Sequence, residues 1–335
     1  MSVTITDSVP ENEWRRFVDG HPEGNIFHTP EMFQVFSRAK KHRPAVWAAV
    51  ADGQMLALFL PVRITLFGGL LSALTTRDIV YGSVLCVPGR EGQDAAQTLL
   101  RTYVGETKGV LFTELRNVSD LTFLQPVLEQ CGFRYEEQLN YLIDLNRPPD
   151  EVLQSFGQRT RKRIRHGLRE GTVTMEEIDR RERVALCYEL LRQSYNAAQV
   201  PLADLSLFEA AFDLLYPKGM IKFLLAWVGD KCAAGSAELV YKDMIYGWYA
   251  GVDRSFSTLA PGELLMWHIL QWGAANGYRV YDFGGAGRSN QKYGVRDFKS
   301  KFGGDLVSYG RNIRVHLPLA LQLSKVGYQI LRPLL

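Results

Sequence analysis

The sequence predicts a mixed α/β protein built from two domains of one type in tandem. Three observations carry this. At 335 residues the chain exceeds what one hydrophobic core usually organises. The apolar patterning runs through two cycles of helices and strands, divided by the loop Asn146-Arg147-Pro148-Pro149. The second cycle reads helix, strand, helices, β-meander, helix, strand, and the first echoes that order without any residue-level repeat. The expected boundaries are 1–148, 149–312 and a terminal helix over 313–335.

In the first cycle, 11–18 and 30–39 read as helices, the second with Thr29 as N-cap and Pro30 at the first helical position. Apolar strands over 45–51 and 55–64 meet at Asp52-Gly53, a two-residue hairpin signal. Strands over 81–86, 110–116 and 133–143 alternate with amphipathic helices over 92–104 and 120–130. In the second cycle, 150–169 reads as one helix with Leu153, Phe156, Thr160, Ile164 and Leu168 along a stripe. A strand over 172–177 and helices over 182–197 and 204–216 follow. The meander comprises 221–228, 233–241 and 244–250, turning at Gly229-Asp230-Lys231 and at Lys242-Asp243. A helix from Pro261 to Asn276 and a strand over 278–283 close the cycle.

Composition narrows the class. Hydrophobic residues at 46% and charged residues at 22% are ordinary for a globular protein, and a net charge of +3 does not by itself point to nucleic acid. Four scattered cysteines (Cys86, Cys131, Cys187, Cys232) argue against a zinc site or a disulfide framework and fit a reducing cytoplasm. The polar, acidic start lacks the pattern of a signal peptide. The run 56–74 is broken by Arg63 and Gly68-Gly69, and reads as strands rather than a membrane span. The apolar carboxy-terminal stretch 315–335, with Lys325 and Arg332, reads as a helix closing a core; the second reading is a helix resting on a membrane surface.

The most informative segment is Tyr281-Asp282-Phe283-Gly284-Gly285-Ala286, then Tyr293-Gly294, then Phe298-Lys299-Ser300-Lys301-Phe302-Gly303-Gly304. A short strand ends in small residues that admit close backbone approach to a ligand. Phe298 and Phe302 share a helical face and anchor the segment, which leaves Lys299 at the lip of a cleft. Asp282 reads as a general base or an orienting carboxylate. Aromatics on such a central strand usually pack in the core; alternation puts Tyr246 and Trp248 on one face and Tyr249 on the other, so the second reading is that Tyr246 and Trp248 line a pocket. Upstream, Arg161, Arg165 and Arg169 recur every four residues, with no acid between Arg159 and Arg169, and form a cationic ridge suited to phosphate or anionic lipid; the second reading is an ordinary solvated helix face.

These motifs resemble the FemAB family of non-ribosomal peptidyltransferases and its relatives among the GNAT-superfamily acyltransferases. The resemblance is good over 150–310 and weaker before it. It implies tandem GNAT-like domains and transfer of an acyl or aminoacyl group to an amine by direct attack. Its leading case is an aminoacyl-tRNA donor and a nucleotide- or lipid-linked cell-wall precursor as acceptor, with peripheral contact at the inner face of the membrane. The candidate site residues are then Lys299 and Asp282 for catalysis, and Arg159, Arg163, Arg165, Tyr246, Trp248, Gly284, Gly285, Tyr293 and Phe298 for substrate, with no metal and no tightly bound cofactor. The segment before Pro261 lacks the Gln/Arg-x-x-Gly-x-Gly/Ala loop that holds coenzyme A in ordinary GNAT enzymes, and the helical-hairpin arm of some FemAB members is missing. Two alternatives remain: an acyl-CoA-dependent N-acyltransferase of exopolysaccharide or envelope synthesis, and a non-catalytic binder of anionic lipid-linked glycans.

Overall fold

The computed structural model describes residues 2–331, so the last four residues of the expected terminal helix lie outside the described residues. The chain divides into two compact units, residues 1–137 with 309–335, and residues 138–308. Both boundaries differ from those read from sequence. The stretch 133–143 is two strands rather than one. Arg134–Glu136 joins a sheet of the first unit, while Leu139–Asp144 pairs with Val280–Gly285 and Asp305–Ser308 in the second. The strand Arg311–Val315 returns to the first unit, between Phe112–Arg116 and Arg134–Glu136.

The first unit holds a four-stranded and a six-stranded sheet. The apolar run 55–64 supplies both. It splits into Gln54–Phe59 and Val62–Thr65 around Leu60-Pro61, where proline offers no N–H to continue a ladder. The helix Arg90–Glu106 buries Ala95, Ala96, Leu99, Leu100 and Tyr103 in the core of this unit. A buried polar chain pins the returning strand. Arg63 and the Tyr103 hydroxyl both donate to Asp78, and Thr113 Oγ1 lies 2.8 Å from both the Tyr103 hydroxyl and His316 Nε2.

The second unit is one seven-stranded sheet. Its order is Val173–Glu177, Ile221–Val228, Lys231–Tyr241, Met244–Val252, Val280–Gly285, Leu139–Asp144, Asp305–Ser308. All neighbours are antiparallel except Met244–Val252 and Val280–Gly285. A parallel pair requires a crossover, and the helix Pro261–Ala275 provides it. That helix packs Leu264, Leu265, Trp267, Ile269 and Leu270 into a core with Ile245, Tyr281, Phe283 and Phe302.

Two local expectations are corrected. The segment 150–169 is not one helix but two, Pro149–Ser155 and Gln158–Glu170. The chain bends at Phe156-Gly157, where the Gly157 N–H donates to the Lys301 carbonyl at 2.9 Å instead of continuing a helical ladder. The new axis turns Leu168 out to 56% exposure, while Thr160 and Ile164 stay buried. The strand Met244–Val252 carries a bulge: Tyr249 stands opposite Ala237 but Gly247 opposite Glu238, so Trp248 is extra. One inserted residue resets the alternation of faces. Trp248 and Tyr249 therefore both pack on Phe208, rather than pointing to opposite faces.

Candidate functional site

The site begins where the parallel pair stops pairing. Met244–Tyr246 are in register with Val280–Asp282, yet the two strands run on to Val252 and Gly285. Beyond Tyr246 the ladder is lost on that side, and Ala250 is exposed although its strand has a neighbour on each side in the sheet. The two strands no longer pair with each other past this point, which leaves a slot between them at the end of Val280–Gly285.

Gly284 lies at φ +67 in the left-handed region, and a Cβ there would stand 3.3 Å from the Tyr246 hydroxyl. Asp282 fixes this turn. It is fully buried, and its Oδ1 accepts from the Gly284 N–H and from Asn140 Nδ2, each at 2.6 Å. Burial pushes the Asp282 carboxyl up to about 6, against the opposing pull of Asn140, the Gly284 amide and Lys299.

Lys299 ends the helix Gly294–Lys299, and Phe302 one turn later is wholly buried against Phe156, Phe283 and Phe298. Burying such a side chain is worth about 1.5–3 kcal/mol, enough to hold the segment down. So anchored, Lys299 Nζ donates to the carbonyls of Phe283 (2.5 Å), Gly284 (3.0 Å) and Gly285 (2.9 Å). An ammonium has three protons, and all three are directed at the end of the strand. Desolvation lowers Lys299 to about 8, partly offset by Asp282 and Glu238.

Glu238 is the group that sequence reasoning missed. It lies across from Gly247 at the bulge, is 1% exposed, and accepts from the Tyr281 hydroxyl at 3.0 Å. Gly247 makes this contact possible, since a Cβ there would come within 2.5 Å of that hydroxyl. Burial lifts the Glu238 carboxyl to about 7, against hydrogen bonding and the charge of Lys299. The available signal was an acid inside an otherwise apolar run, Ala237-Glu238-Leu239-Val240. Asn140, in Leu139-Asn140-Tyr141-Leu142, carried the same kind of signal and was also overlooked.

Of the expected residues, Lys299, Asp282, Gly284, Gly285, Tyr246 and Phe298 meet at the strand end. Tyr293 caps the Lys299 helix and packs on Gly287. It also neighbours Tyr195, whose hydroxyl is pushed up to about 12 by burial and then by Tyr293. Tyr195 in turn contacts Tyr249 at 5.8 Å between ring centroids, so aromatic rings border the slot. Trp248 packs with Phe208 and Tyr249.

The basic helix divides into two kinds of arginine. Arg163 bonds Glu263 at 2.7 Å and the Ser257 carbonyl, which ties its helix to the start of the Pro261–Ala275 helix. Arg161 donates to the Gln154 carbonyl. Arg159, Lys162, Arg165 and Arg169 are exposed and have no hydrogen bond or ion pair among the described residues. No group of metal-ligating residues occurs among the described residues, and no described helix is long and apolar enough to cross a membrane.

Comparison with known proteins bears on the fold that carries these features. Residues 154–300 match the family described as Acetyltransferase (GNAT) domain. No curated protein sequence matches the chain. Among solved structures, FemX aligns with 99% of this chain and 100% of its own at 16% identity and a TM-score of 0.72. A tandem GNAT protein from the clavulanic acid biosynthesis pathway aligns over 94% of this chain and 98% of its own, at 10% identity and a TM-score of 0.59. L-PGS from Bacillus licheniformis aligns over 96% and 97%, at 14% identity and a TM-score of 0.56. At such identities the structural likeness is one of fold, and that fold is two tandem GNAT-like domains. The resemblance read from the sequence motifs is thereby supported, and the chemistry that goes with the matched domain is acyl transfer.

Proposed function

We propose that this GNAT-fold acyltransferase makes an amide by moving an aminoacyl group from aminoacyl-tRNA to an amine of a cell-wall precursor, carried on a nucleotide- or lipid-linked glycan. The observation that carries the choice of donor is the start of the Pro261–Ala275 helix. An acyl-CoA enzyme would offer main-chain amides there to a pyrophosphate. Here Ala260, Pro261, Gly262 and Glu263 are all buried, Pro261 has no N–H, and Glu263 brings a carboxylate already paired with Arg163. Arg159, Lys162, Arg165 and Arg169, which have no described side-chain partner, are exposed on the Gln158–Glu170 helix, where a long polyanion can lie.

In this reading the neutral acceptor amine attacks the ester carbonyl of the donor in the slot beyond Tyr246. The C–N bond forms, the carbonyl oxygen takes up negative charge, and the C–O bond to the tRNA ribose then breaks. The amine proton ends on the departing ribose oxygen. Lys299, in its ammonium form, stabilises the developing oxyanion by turning one proton from a strand-end carbonyl toward it. Asp282 is fully buried and acts by holding the Gly284 turn, which makes it an orienting carboxylate rather than a base. Gly284 and Gly285 leave the approach open, and Tyr246 and Tyr293 border it. A lipid-linked acceptor would bring the protein to the inner face of the membrane.

Calorimetric titration with acetyl-CoA, beside a transfer assay with charged tRNA, tests the donor. Weak coenzyme A binding with tRNA-dependent acylation is expected. Micromolar acetyl-CoA affinity without tRNA-dependent transfer would reverse the choice and make the chain an acyl-CoA N-acyltransferase.

A further inference from the structure

The first unit presents an apolar surface that its own fold does not need. Its carboxy-terminal helix, Pro318–Leu331, turns the wrong residues outward. Ala320, Leu321, Ser324 and Gly327 are half-buried, while Leu319, Leu323 and Val326 are 78%, 64% and 53% exposed. At 100° per residue these three lie within an arc of about 60°, so they make one continuous stripe rather than scattered exposure. The helix packs against the short helix Gly69–Leu74, whose Leu71 is 54% exposed, with Phe67 just before it at 42%. Val315 and Leu317, leading into the long helix, are exposed as well. Contiguous apolar exposure on this scale marks an interaction surface.

Charge selects the occupant. No Asp or Glu occurs from Leu306 to Leu335, nor from Gly53 to Arg77. Lys325 is exposed, its side chain has no described hydrogen bond or ion pair, and it lies about 100° around the helix from Val326, on the polar side next to Gln322. An apolar stripe on a helix free of acids, with a lysine on its polar side, is the pattern of a helix lying in the plane of a bilayer interface. No described helix is long and apolar enough to cross a membrane. We propose that this face docks on an anionic lipid surface, with Leu319, Leu323 and Val326 in the acyl boundary, Phe67 and Leu71 beside them, and Lys325 at the headgroups. The proposal names the membrane contact that a lipid-linked acceptor would require, but its readout is independent of donor and acceptor.

The experiment is co-sedimentation of the full chain with vesicles of phosphatidylcholine alone and of phosphatidylcholine with phosphatidylglycerol, at low and high salt. Binding to the anionic vesicles is expected, weakened by salt because headgroup attraction is screened. The triple variant Leu319→Ser, Leu323→Ser, Val326→Ser should lose binding by roughly tenfold or more. Its fold is checked by an unchanged melting temperature, which is expected because the altered side chains are exposed. Lys325→Gln should reduce the preference for anionic over neutral vesicles while leaving the apolar contribution. Absence of wild-type sedimentation with either vesicle overturns the proposal. So does equal binding by the triple variant. A concentration-dependent dimer that the triple variant abolishes, without vesicle binding, assigns the face to a second copy of the chain instead.

Discussion

Lys299 illustrates how one side chain is set by its surroundings. Its three bonds to the carbonyls of Phe283, Gly284 and Gly285 make it a clamp on the strand end as well as a charge. Lys299→Ala should lower turnover by about two orders of magnitude, the cost of a lost oxyanion-type interaction of about 3 kcal/mol. Near-full activity in the variant would remove it from the mechanism. The pH profile follows from the buried charges. Asp282 and Glu238 are ionised only above about 6 and about 7, and Lys299 keeps its proton only below about 8. With both carboxylates charged and the ammonium intact, activity should peak between about 7 and 8. Lys299→Ala should abolish the alkaline limb, and Glu238→Gln should move the acid limb down toward the value of Asp282. The stability sign is opposite. The folded state holds the protons of Asp282 and Glu238 more tightly than the unfolded chain, so their contribution is present at low pH and is lost as pH rises through about 6 and 7. A pH–rate profile indifferent to both substitutions would separate this cluster from the chemistry.

At the level of elements, breaks in regular structure do the positioning. The bend at Phe156-Gly157 joins the start of the basic helix to the Lys301 carbonyl, and the bulge at Trp248 places Glu238 opposite Gly247. The basic helix then separates by function. Replacing Arg159, Arg165 and Arg169 with Gln should leave the melting temperature unchanged, because none has a described partner. The same variant should weaken binding of the polyanionic donor and flatten its log–log salt dependence by about two to three. Arg163→Gln should behave in the reverse way. It leaves the buried Glu263 carboxylate without its 2.7 Å partner and should cost roughly 2–3 kcal/mol in denaturant unfolding. Equal effects from both variants on donor binding would dissolve the distinction between tie and ridge.

For the molecule as a whole, the second unit is assembled from distant stretches of chain. Leu139–Asp144 fills the gap between Val280–Gly285 and Asp305–Ser308, buries Ile143, and supplies the Asn140 bond to Asp282. A fragment spanning 138–308 should therefore unfold cooperatively in urea. A fragment spanning 149–312 lacks that strand, exposes two strand edges within one sheet, and should be unfolded or aggregated. Cooperative unfolding of the shorter fragment, with unchanged midpoint, would make the strand dispensable.

Patterns that depend on near neighbours were legible in the sequence. The meander 221–250, the Pro261 helix, the Thr29 cap and the glycine-rich strand end follow from periodicity, proline and glycine chemistry, and local hydrogen bonding, all encoded within a few residues. Lys299, held by Phe298 and Phe302 next to that strand end, was found for the same reason. Tertiary structure alone decided what depends on partners far away in the chain. Only pairing across 142 residues shows that Asn140 serves Asp282. Only the bulge shows that Trp248 and Tyr249 share Phe208, and only the bend at Gly157 turns Leu168 to solvent. Glu238 reads as an anomaly in an apolar strand until Tyr281, 43 residues later, reaches it through the space left by Gly247. The physical reason is common to all four. Local propensity specifies which elements form, whereas register, bulges and burial are settled by packing against segments that the local sequence does not contain.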